Sequence, residues 1–340
     1  MSKKPLILGI ESSCDETAAS IITENEKGVP TILSNIISSQ IDVHKEFGGV
    51  VPELAARTHI EKIDLITKKA IDKSGIKIED INAVAATAGP GLIVCLSVGL
   101  SFGKAIAYSI NKPFIAVNHL EGHALSPKLN TKLDYPYLLL LISGGHTQFL
   151  SVNKLGEYKR LGTTIDDAVG EAFDKVAKIL GLPYPGGHEI EKQAMNGDEN
   201  SFKLPQPLVK KDNLNFSFSG LKTSINLISK KNIIDDNFIK NVSASFQKCV
   251  SNILITKLSK AIDSINSDQN ISISVVGGVA NNNYLKNCFK KFEEKNNILF
   301  VYPPQNMMSD NAAMIAWATI FKYSKFNDIN FKANPRLQIN

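Results

Sequence analysis

Two segments of this chain are built alike, and that repetition constrains its fold more than any other feature. Leu6-Ile7-Leu8-Gly9-Ile10 reads as a buried strand and Ala18-Ala19-Ser20-Ile21-Ile22 as its partner, with the polar loop Glu11-Ser12-Ser13-Cys14-Asp15-Glu16-Thr17 between them. Tyr137-Leu138-Leu139-Leu140-Leu141-Ile142 and Gln148-Phe149-Leu150-Ser151-Val152 repeat the arrangement around Ser143-Gly144-Gly145-His146-Thr147. The same unit opens the first third and the middle third of the chain. It predicts two lobes of similar build facing one another across a cleft. A chain of 340 residues is long enough for both.

Around these hairpins strands and helices alternate, which argues for α/β sheets with crossover helices. Helical spacing runs from Ile60 to Ser74, Ala83-Val84-Ala85-Ala86 is a short strand ending at Gly89-Pro90-Gly91, and Leu96 to Ile110 reads as a helix before the strand Pro113 to Val117. Asp166 to Leu180 puts Val169, Ala172, Phe173, Val176, Ile179 and Leu180 on one face, with Gly181 at its C-cap. Pro183 to Asp236 is expected to be a loop-rich insertion. Asn241 to Ile265 is a long amphipathic helix, Ile271 to Val276 a strand running into Gly277-Gly278-Val279, and Ser309 the N-cap of a last helix through Phe321.

On this frame the chemistry-bearing residues stand out. His119-Leu120-Glu121-Gly122-His123 places two imidazoles one helical turn apart, where both can grip one metal ion. Asp310, at the start of the last helix, is the candidate third ligand, although an Asp there is also favourable through the helix dipole alone. Two His and one carboxylate suit iron or zinc without separating them. Gly144-Gly145 alone is an ordinary hairpin turn. With Gly277-Gly278 after another strand, it gains weight as an anion-binding nest of successive amides. Asn282, inside Asn281-Asn282-Asn283, either caps a helix or holds an adenine or ribose edge. Asp174 lies off the apolar face of its helix, toward solvent or the cleft, and Gly186-Gly187 after Pro185 reads as loop.

Composition excludes more than it selects. A charged share of 21% and an apolar share of 43% describe an ordinary globular chain, and the net charge of +5 permits an anionic partner such as RNA without arguing for one. Cys14, Cys95, Cys249 and Cys288 form no C-x-x-C pair, as expected of reduced thiols in a cytosolic protein. The apolar stretch Pro5 to Ile10 is too short for a signal peptide, and no segment has the length to cross a bilayer.

Read together, the motifs closely resemble the bacterial tRNA N6-adenosine threonylcarbamoyltransferase family, formerly labelled O-sialoglycoprotein endopeptidases. The resemblance covers nearly the whole chain. It runs through Gly9-Ile10-Glu11-Ser12-Ser13-Cys14-Asp15-Glu16-Thr17, Gly48-Gly49-Val50-Val51-Pro52-Glu53-Leu54-Ala55, Gly89-Pro90-Gly91-Leu92 and Asn118-His119-Leu120-Glu121-Gly122-His123. It continues through Ser143-Gly144-Gly145-His146-Thr147, Gly170-Glu171-Ala172-Phe173-Asp174-Lys175, Tyr184-Pro185-Gly186-Gly187, Phe216-Ser217-Phe218-Ser219-Gly220-Leu221-Lys222-Thr223 and Gly277-Gly278-Val279. Val94-Cys95, Asn281, Ala312 and the Pro335-Arg336-Leu337 end depart from the family pattern without touching a candidate ligand.

The resemblance implies a two-lobed α/β fold of the actin, sugar-kinase and heat-shock-chaperone ATPase type with a central cleft. On that fold, residues 1–118 with about 310–325 form one lobe, and 119–309 the other, with the loop-rich insertion at about 183–236. It further implies metal ligands His119, His123 and Asp310, with one divalent ion per subunit, iron ahead of zinc. The substrate cradle falls on Ile142, Ser143, Gly144, Gly145 and His146, with Asp174, Gly187 and Asn282 holding the nucleotide part. Asp15 and Glu16 match residues needed for activity.

The implied reaction transfers threonylcarbamoyl from threonylcarbamoyl-AMP to the exocyclic amine of the adenosine 3′ of the anticodon, in tRNAs reading codons that begin with A. Implied partners are tRNA, a paralogous actin-fold protein met through a first-lobe surface helix, and a small ATPase; the address is the cytoplasm, with no membrane. Three rivals remain. A metalloprotease lacks its H-E-x-x-H glutamate, since Leu120 follows the first His. An ATP-dependent kinase or hydrolase of the same fold leaves the His pair without a purpose, and a scaffold leaves it without chemistry.

Overall fold

The computed structural model describes residues 4–129, 131, 133–265 and 271–339. The chain divides into two compact units, Met1–Lys132 with Ser309–Ile339, and Leu133–Met308. Each is an α/β unit around its own five-stranded mixed sheet.

In the first unit, β1 (Ile7–Glu11) pairs antiparallel with β2 (Glu16–Glu24), and β2 with β3 (Pro30–Ser39). The short α1 (Ile41–His44) leads to α2 (Pro52–Ser74), which has Pro at its first turn and Gly75 in the left-handed region at its end, the usual asymmetry of start and stop residues. Then β4 (Ala83–Gly89) returns parallel to β1, α3 (Ile93–Ser109) crosses over, and β5 (Phe114–Asn118) pairs parallel with β4. The helix α4 (His119–Leu125) follows β5 directly. The strand order is β3-β2-β1-β4-β5. β1 and β4 are buried along their whole length, which is why they read as near-continuous apolar runs, broken only by Glu11 and Thr87, rather than as alternating ones.

The second unit repeats this plan. β6 (Tyr137–Ile142), β7 (Thr147–Lys154) and β8 (Glu157–Thr163) form an antiparallel meander. Four helices follow: α5 (Val169–Ile179), α6 (Gly186–Ala194), α7 (Ser219–Ser229) and α8 (Asp236–Ser264). Next, β9 (Ser272–Val276) joins β6 in parallel, α9 (Asn283–Asn296) crosses over, and β10 (Phe300–Val301) pairs parallel with β9. The order β10-β9-β6-β7-β8 is that of the first sheet, strand for strand. Its core is aromatic: Phe173 meets Phe246 edge-on at 4.9 Å, and Phe149, Phe216 and Phe218 stack in a row.

The last helix, α10 (Ala312–Ile320), belongs to the first unit and packs on β1 and β2. Its small residues let it approach closely at Gly9, where an added Cβ would lie 2.5 Å from the Ala312 carbonyl oxygen and 2.8 Å from the Ala316 methyl. A glycine in the middle of a buried strand is explained by that approach. The C-terminal segment then lies along β4 and β5, with Asn334 N–H donating to Ala88 O and Asp328 N–H to Phe114 O.

Several expectations from sequence need correction. The boundary falls after residue 132 rather than 118, because α4 packs on α10 and stays with β5; the first unit also extends to 339 rather than about 325. The stretch 183–236 holds α6 and α7, short helices whose glycine-bearing first turns hide their periodicity. α10 is capped by Asn311, whose side chain accepts from Met314 N at 3.0 Å, and not by Ser309. α8 begins at Asp236 rather than Asn241, capped by Asp235 through Phe238 N. β3 and β8 are edge strands, half-exposed or charged, and lack the apolar run that marks β1 and β6.

Candidate functional site

The first unit gathers histidines and carboxylates around the end of β1. Asn118 caps α4, accepting from Leu120 N at 2.9 Å, and so fixes the turn on which His119 and His123 sit. The two rings lie 4.7 Å apart, edge to face. Both Nε2 atoms converge on Asp310 Oδ1, from His123 at 3.0 Å and from His119 at 3.6 Å. One donor atom from each residue lies within 4.8 Å of the others. The histidine side chains are 4% and 0% exposed and Asp310 20%, so the carboxylate is the open edge of the group. Glu121, between the histidines, is held in an ion pair with Lys322 beyond the end of α10.

Glu11 stands behind this group. Its Oε1 accepts from Ser13 N at 2.6 Å, and its Oε2 accepts from the Thr87 hydroxyl at 2.5 Å and lies 3.3 Å from His119 Nδ1. Burial works against the charge of Glu11, yet the charge and hydrogen bond of His119 outweigh it and hold the carboxyl below the usual range. Burial likewise opposes charge on His119, but Asp310 and Glu11 together push it up to about 9. For His123 burial prevails over Asp310, and its pKa falls. Two carboxylates facing one imidazolium leave the cluster with excess negative charge. A buried donor set of two imidazoles and a carboxylate with that charge fits a divalent cation.

Asp15 and Glu16 lie beside it, on the β1–β2 loop and at the first position of β2. Burial, and then the charges of Asp15 and Asp310, push the Glu16 carboxyl well above its ordinary value. The loop is braced by a directed chain of hydrogen bonds. Val51 N–H donates to His44 Nδ1, which leaves His44 Nε2 to donate to Gln40 Oε1 at 3.3 Å. Gln40 Nε2 in turn reaches the Ala55 carbonyl and the Thr17 hydroxyl, each at 3.4 Å. Thr17 donates to His59 Nδ1 at 2.7 Å, and His59 Nε2 donates to the Cys14 carbonyl at 3.0 Å. Every ring nitrogen thus has one role, which requires both imidazoles to be neutral. Burial lowers the pKa of each accordingly.

In the second unit the candidate substrate residues cluster at the carboxyl ends of β6 and β9, where open α/β sheets hold ligands. The hairpin loop is closed by Ser143 N donating to His146 O at 2.8 Å and His146 N to Ser143 Oγ at 3.0 Å. The first turn of α5 abuts it, with Gly170 N–H donating to Ser143 O at 3.2 Å. Gly144, Gly145, Gly187 and Gly278 have nothing within 4 Å of an added Cβ and no left-handed φ. The fold therefore does not require glycine at these four positions, whereas close approach by a ligand would. A pocket of about 740 Å³ lies between α6, α8 and α9, lined by His188, Glu191, Gln247, Asn283 and Tyr284 among others; the four glycines are not part of its lining.

Two candidates have structural duties as well. Asp174 accepts from Gly186 N at 2.7 Å, tying α5 to the start of α6. Asn282 caps α9, accepting from Leu285 N at 3.0 Å and donating to Gln247 at 2.9 Å, and is 7% exposed. Of the two roles open to it from sequence, the helix cap is the one its contacts fill. The sequence gives no role to Glu11, Thr87, Gln40, His44 and His59, and lone histidines carry no signal of their own. Glu11 had one: a carboxylate ending an otherwise apolar buried strand.

Comparisons with known proteins agree with one another. The family profile TsaD: tRNA N6-adenosine threonylcarbamoyltransferase matches residues 31–317. A protein named tRNA N6-adenosine threonylcarbamoyltransferase from Pelagibacter ubique (strain HTCC1062) is 62% identical over 99% of this chain and 95% of its own length. One of the same name from Brucella suis (strain ATCC 23445 / NCTC 10510) is 49% identical over 92% and 88%. Among solved structures, HypF of T. kodakarensis superposes with a TM-score of 0.60 at 12% identity, over 94% of this chain and 47% of that one. Component A of the Acidaminococcus fermentans (R)-2-hydroxyglutaryl-CoA dehydratase gives 0.53 at 15%, over 94% and 100%. These two likenesses show the fold alone. Among the described residues no helix is long and apolar enough to cross a membrane.

Proposed function

Because the chain belongs to the tRNA N6-adenosine threonylcarbamoyltransferase family, we propose that it transfers the threonylcarbamoyl group of threonylcarbamoyl-AMP to the exocyclic amine of the adenosine 3′ of the anticodon, in tRNAs reading codons that begin with A. The amine nitrogen attacks the carbamoyl carbon, the bond from that carbon to the phosphate oxygen breaks, and AMP leaves with the electron pair while the amine gives up a proton. The observation that carries this reading is the buried convergence of His119, His123 and Asp310 beside the Asp15–Glu16 loop.

His119, His123 and Asp310 would hold one divalent ion, iron ahead of zinc, which when bound supplies polarisation of the acyl carbonyl. The amides of Gly144 and Gly145 hold the phosphate, with Ile142, Ser143 and His146 shaping that turn and Asp174, Gly187 and Asn282 bordering the nucleoside. Asp15 takes the proton of the attacking amine. Glu16, its carboxyl pushed well above its ordinary value by burial and then by the charges of Asp15 and Asp310, stands beside it. The target base leaves its stack to react, as anticodon-loop bases do when proteins read them. A paralogous actin-fold protein and a small ATPase serve as partners, in the cytoplasm. The protease alternative loses further ground because Glu121 is occupied by Lys322.

The test is nucleoside analysis of tRNA incubated with the protein, its partners, threonine, bicarbonate and ATP. Formation of threonylcarbamoyladenosine, lost in His123→Ala, is the expected outcome; unchanged product from His123→Ala removes the metal from the account. Near-normal turnover by Asp15→Asn would show that Asp15 is not the base. Binding of tRNA should weaken steeply with added salt.

A further inference from the structure

The nitrogen of His119 that faces away from Asp310 meets a carboxylate with each oxygen engaged. Glu11 is 0% exposed in a strand otherwise made of Ile, Leu and Gly. A carboxylate so buried is tolerated only where hydrogen bonds offset its desolvation. Ser13 N–H serves Oε1 at 2.6 Å, and the Thr87 hydroxyl serves Oε2 at 2.5 Å. The remaining neighbour of Oε2 is His119 Nδ1 at 3.3 Å, which Ser13 Oγ also approaches at 3.3 Å. A carboxylate oxygen already taking a hydroxyl proton can only accept from that nitrogen. Nδ1 therefore carries a hydrogen in either charge state, and in the neutral ring, the form that binds a metal, the lone pair falls on Nε2, the atom 3.6 Å from Asp310 Oδ1.

We propose that Glu11 is a positioning residue for the cation site: its Oε2 fixes His119 as the Nδ1–H tautomer and so keeps Nε2 available to a divalent metal. The inference rests on the proposed function only in taking His119, His123 and Asp310 as that site. His123 has no such support, since its Nδ1 is buried without a hydrogen-bond partner. His119 is thus the ligand whose tautomer and ring orientation are set in advance, and Glu11 brings a negative charge close to the ion without occupying a coordination position.

Glu11→Gln discriminates sharply because of Ser13. The Ser13 N–H demands an acceptor at the Oε1 position, so the Gln carbonyl settles there and its NH₂ takes the place of Oε2. That NH₂ donates to His119 Nδ1 and to the Thr87 hydroxyl, which can accept. The imidazole hydrogen then moves to Nε2, the atom that should face the ion. Side-chain size and the number of hydrogen bonds are preserved.

The experiment adds Co(II) alone to metal-stripped wild type, Glu11→Gln and His123→Ala, and follows the visible absorption of the bound ion, with thermal melts as the control for folding. Glu11→Gln should bind Co(II) about 10- to 100-fold more weakly, and His123→Ala more weakly still. Wild-type affinity in Glu11→Gln, with binding lost in His123→Ala, would overturn the positioning role and leave the proposed function standing. Wild-type affinity in His123→Ala would remove the cation site, and both ideas with it. A second readout needs no variant: in zinc-loaded wild type, nitrogen-15 spectra should report a protonated Nδ1 and a zinc-bound Nε2 for His119. Zinc on Nδ1 would refute the inference even if Glu11→Gln failed to fold.

Discussion

The two units share one sheet topology and carry on it hairpin loops of opposite chemical character. In each, an antiparallel hairpin loop is backed by a glycine turn that follows the neighbouring parallel strand. Gly91 lies against the first loop, where an added Cβ would sit 2.6 Å from Ser13 O, and Gly277 lies against the second, 2.4 Å from Ile142 O. Those glycines belong to the fold. The loops themselves diverge. The β1–β2 loop is filled with side chains, Glu11, Ser13, Asp15 and Glu16, engaged with histidines and hydroxyls around it. The β6–β7 loop is stripped to Gly144 and Gly145, which present backbone to open space. One loop offers ionisable side chains, the other backbone amides. The lesson is that a duplicated scaffold fixes where a loop stands, while its residue types decide whether cations or anions meet it.

The largest break in the comparison should come from removing a side chain at the first loop's cluster. If the metal lowers the barrier by several kcal/mol, His123→Ala should reduce kcat by about 10²–10³ or more, at roughly tenfold per 1.4 kcal/mol. Single-turnover transfer to tRNA measures this, and a loss below tenfold would assign the catalysis elsewhere. Next in size is Gly9→Ala. The new methyl would press on the Ala312 carbonyl and the Ala316 methyl, displacing α10 and with it Asp310. Overpacking of this kind costs about 1–3 kcal/mol, so both melting temperature and metal affinity should fall. If only stability falls, α10 does not set the Asp310 geometry.

Legibility from sequence follows the same divide. The strands β1, β4 and β6 announce themselves because burial on both faces demands near-continuous apolar runs. The edge strands β3 and β8, paired with β2 and β7, are invisible because exposure removes that demand. The His119–His123 pair is readable because its spacing encodes a helical turn. Its support is not: Glu11 and Thr87 are 76 residues apart, and Gln40 and His59 19 apart, and only the sheet and α2 bring them together. Asn282 is read from sequence as a helix cap or a ligand contact, and the cap is seen at α9, where its side chain also donates to Gln247.

The pH dependence sharpens the contrast at smaller amplitude. The braced chain behind the Asp15–Glu16 loop needs neutral His44 and His59, and burial holds both pKa values below the ordinary imidazole. For a histidine whose folded pKa is depressed, stability is complete above the unfolded value near 6.5. It declines as pH falls through that value toward the folded one, because the unfolded chain binds the proton first. For the fully buried His59 the slope reaches at most about 1.4 kcal/mol per pH unit. Hydrogen exchange between pH 7 and 5 should therefore show β2 and the N-terminal half of α2 loosening before β6 and β7. Equal loosening of the two hairpins would mean the histidine chain is not what holds the first.

The smallest expected change in stability tests the second loop. Gly144 has no left-handed φ and no neighbour within 4 Å of a Cβ, so Gly144→Ala should alter folding stability by no more than about 0.5 kcal/mol. Gly277→Ala, at φ +99° and 2.4 Å from the Ile142 carbonyl oxygen, should be far more damaging to the melt. The informative quantity is then the affinity for AMP, the leaving group of the proposed reaction. A methyl between the amides and a phosphate should weaken AMP binding in Gly144→Ala although the fold is untouched. If AMP binds Gly144→Ala as it binds wild type, the glycine is not there for close approach of an anion, and the division of labour between the two loops fails on the second side. A melt unaffected by Gly277→Ala would fail it on the other, since the glycine turn would no longer be what the fold requires.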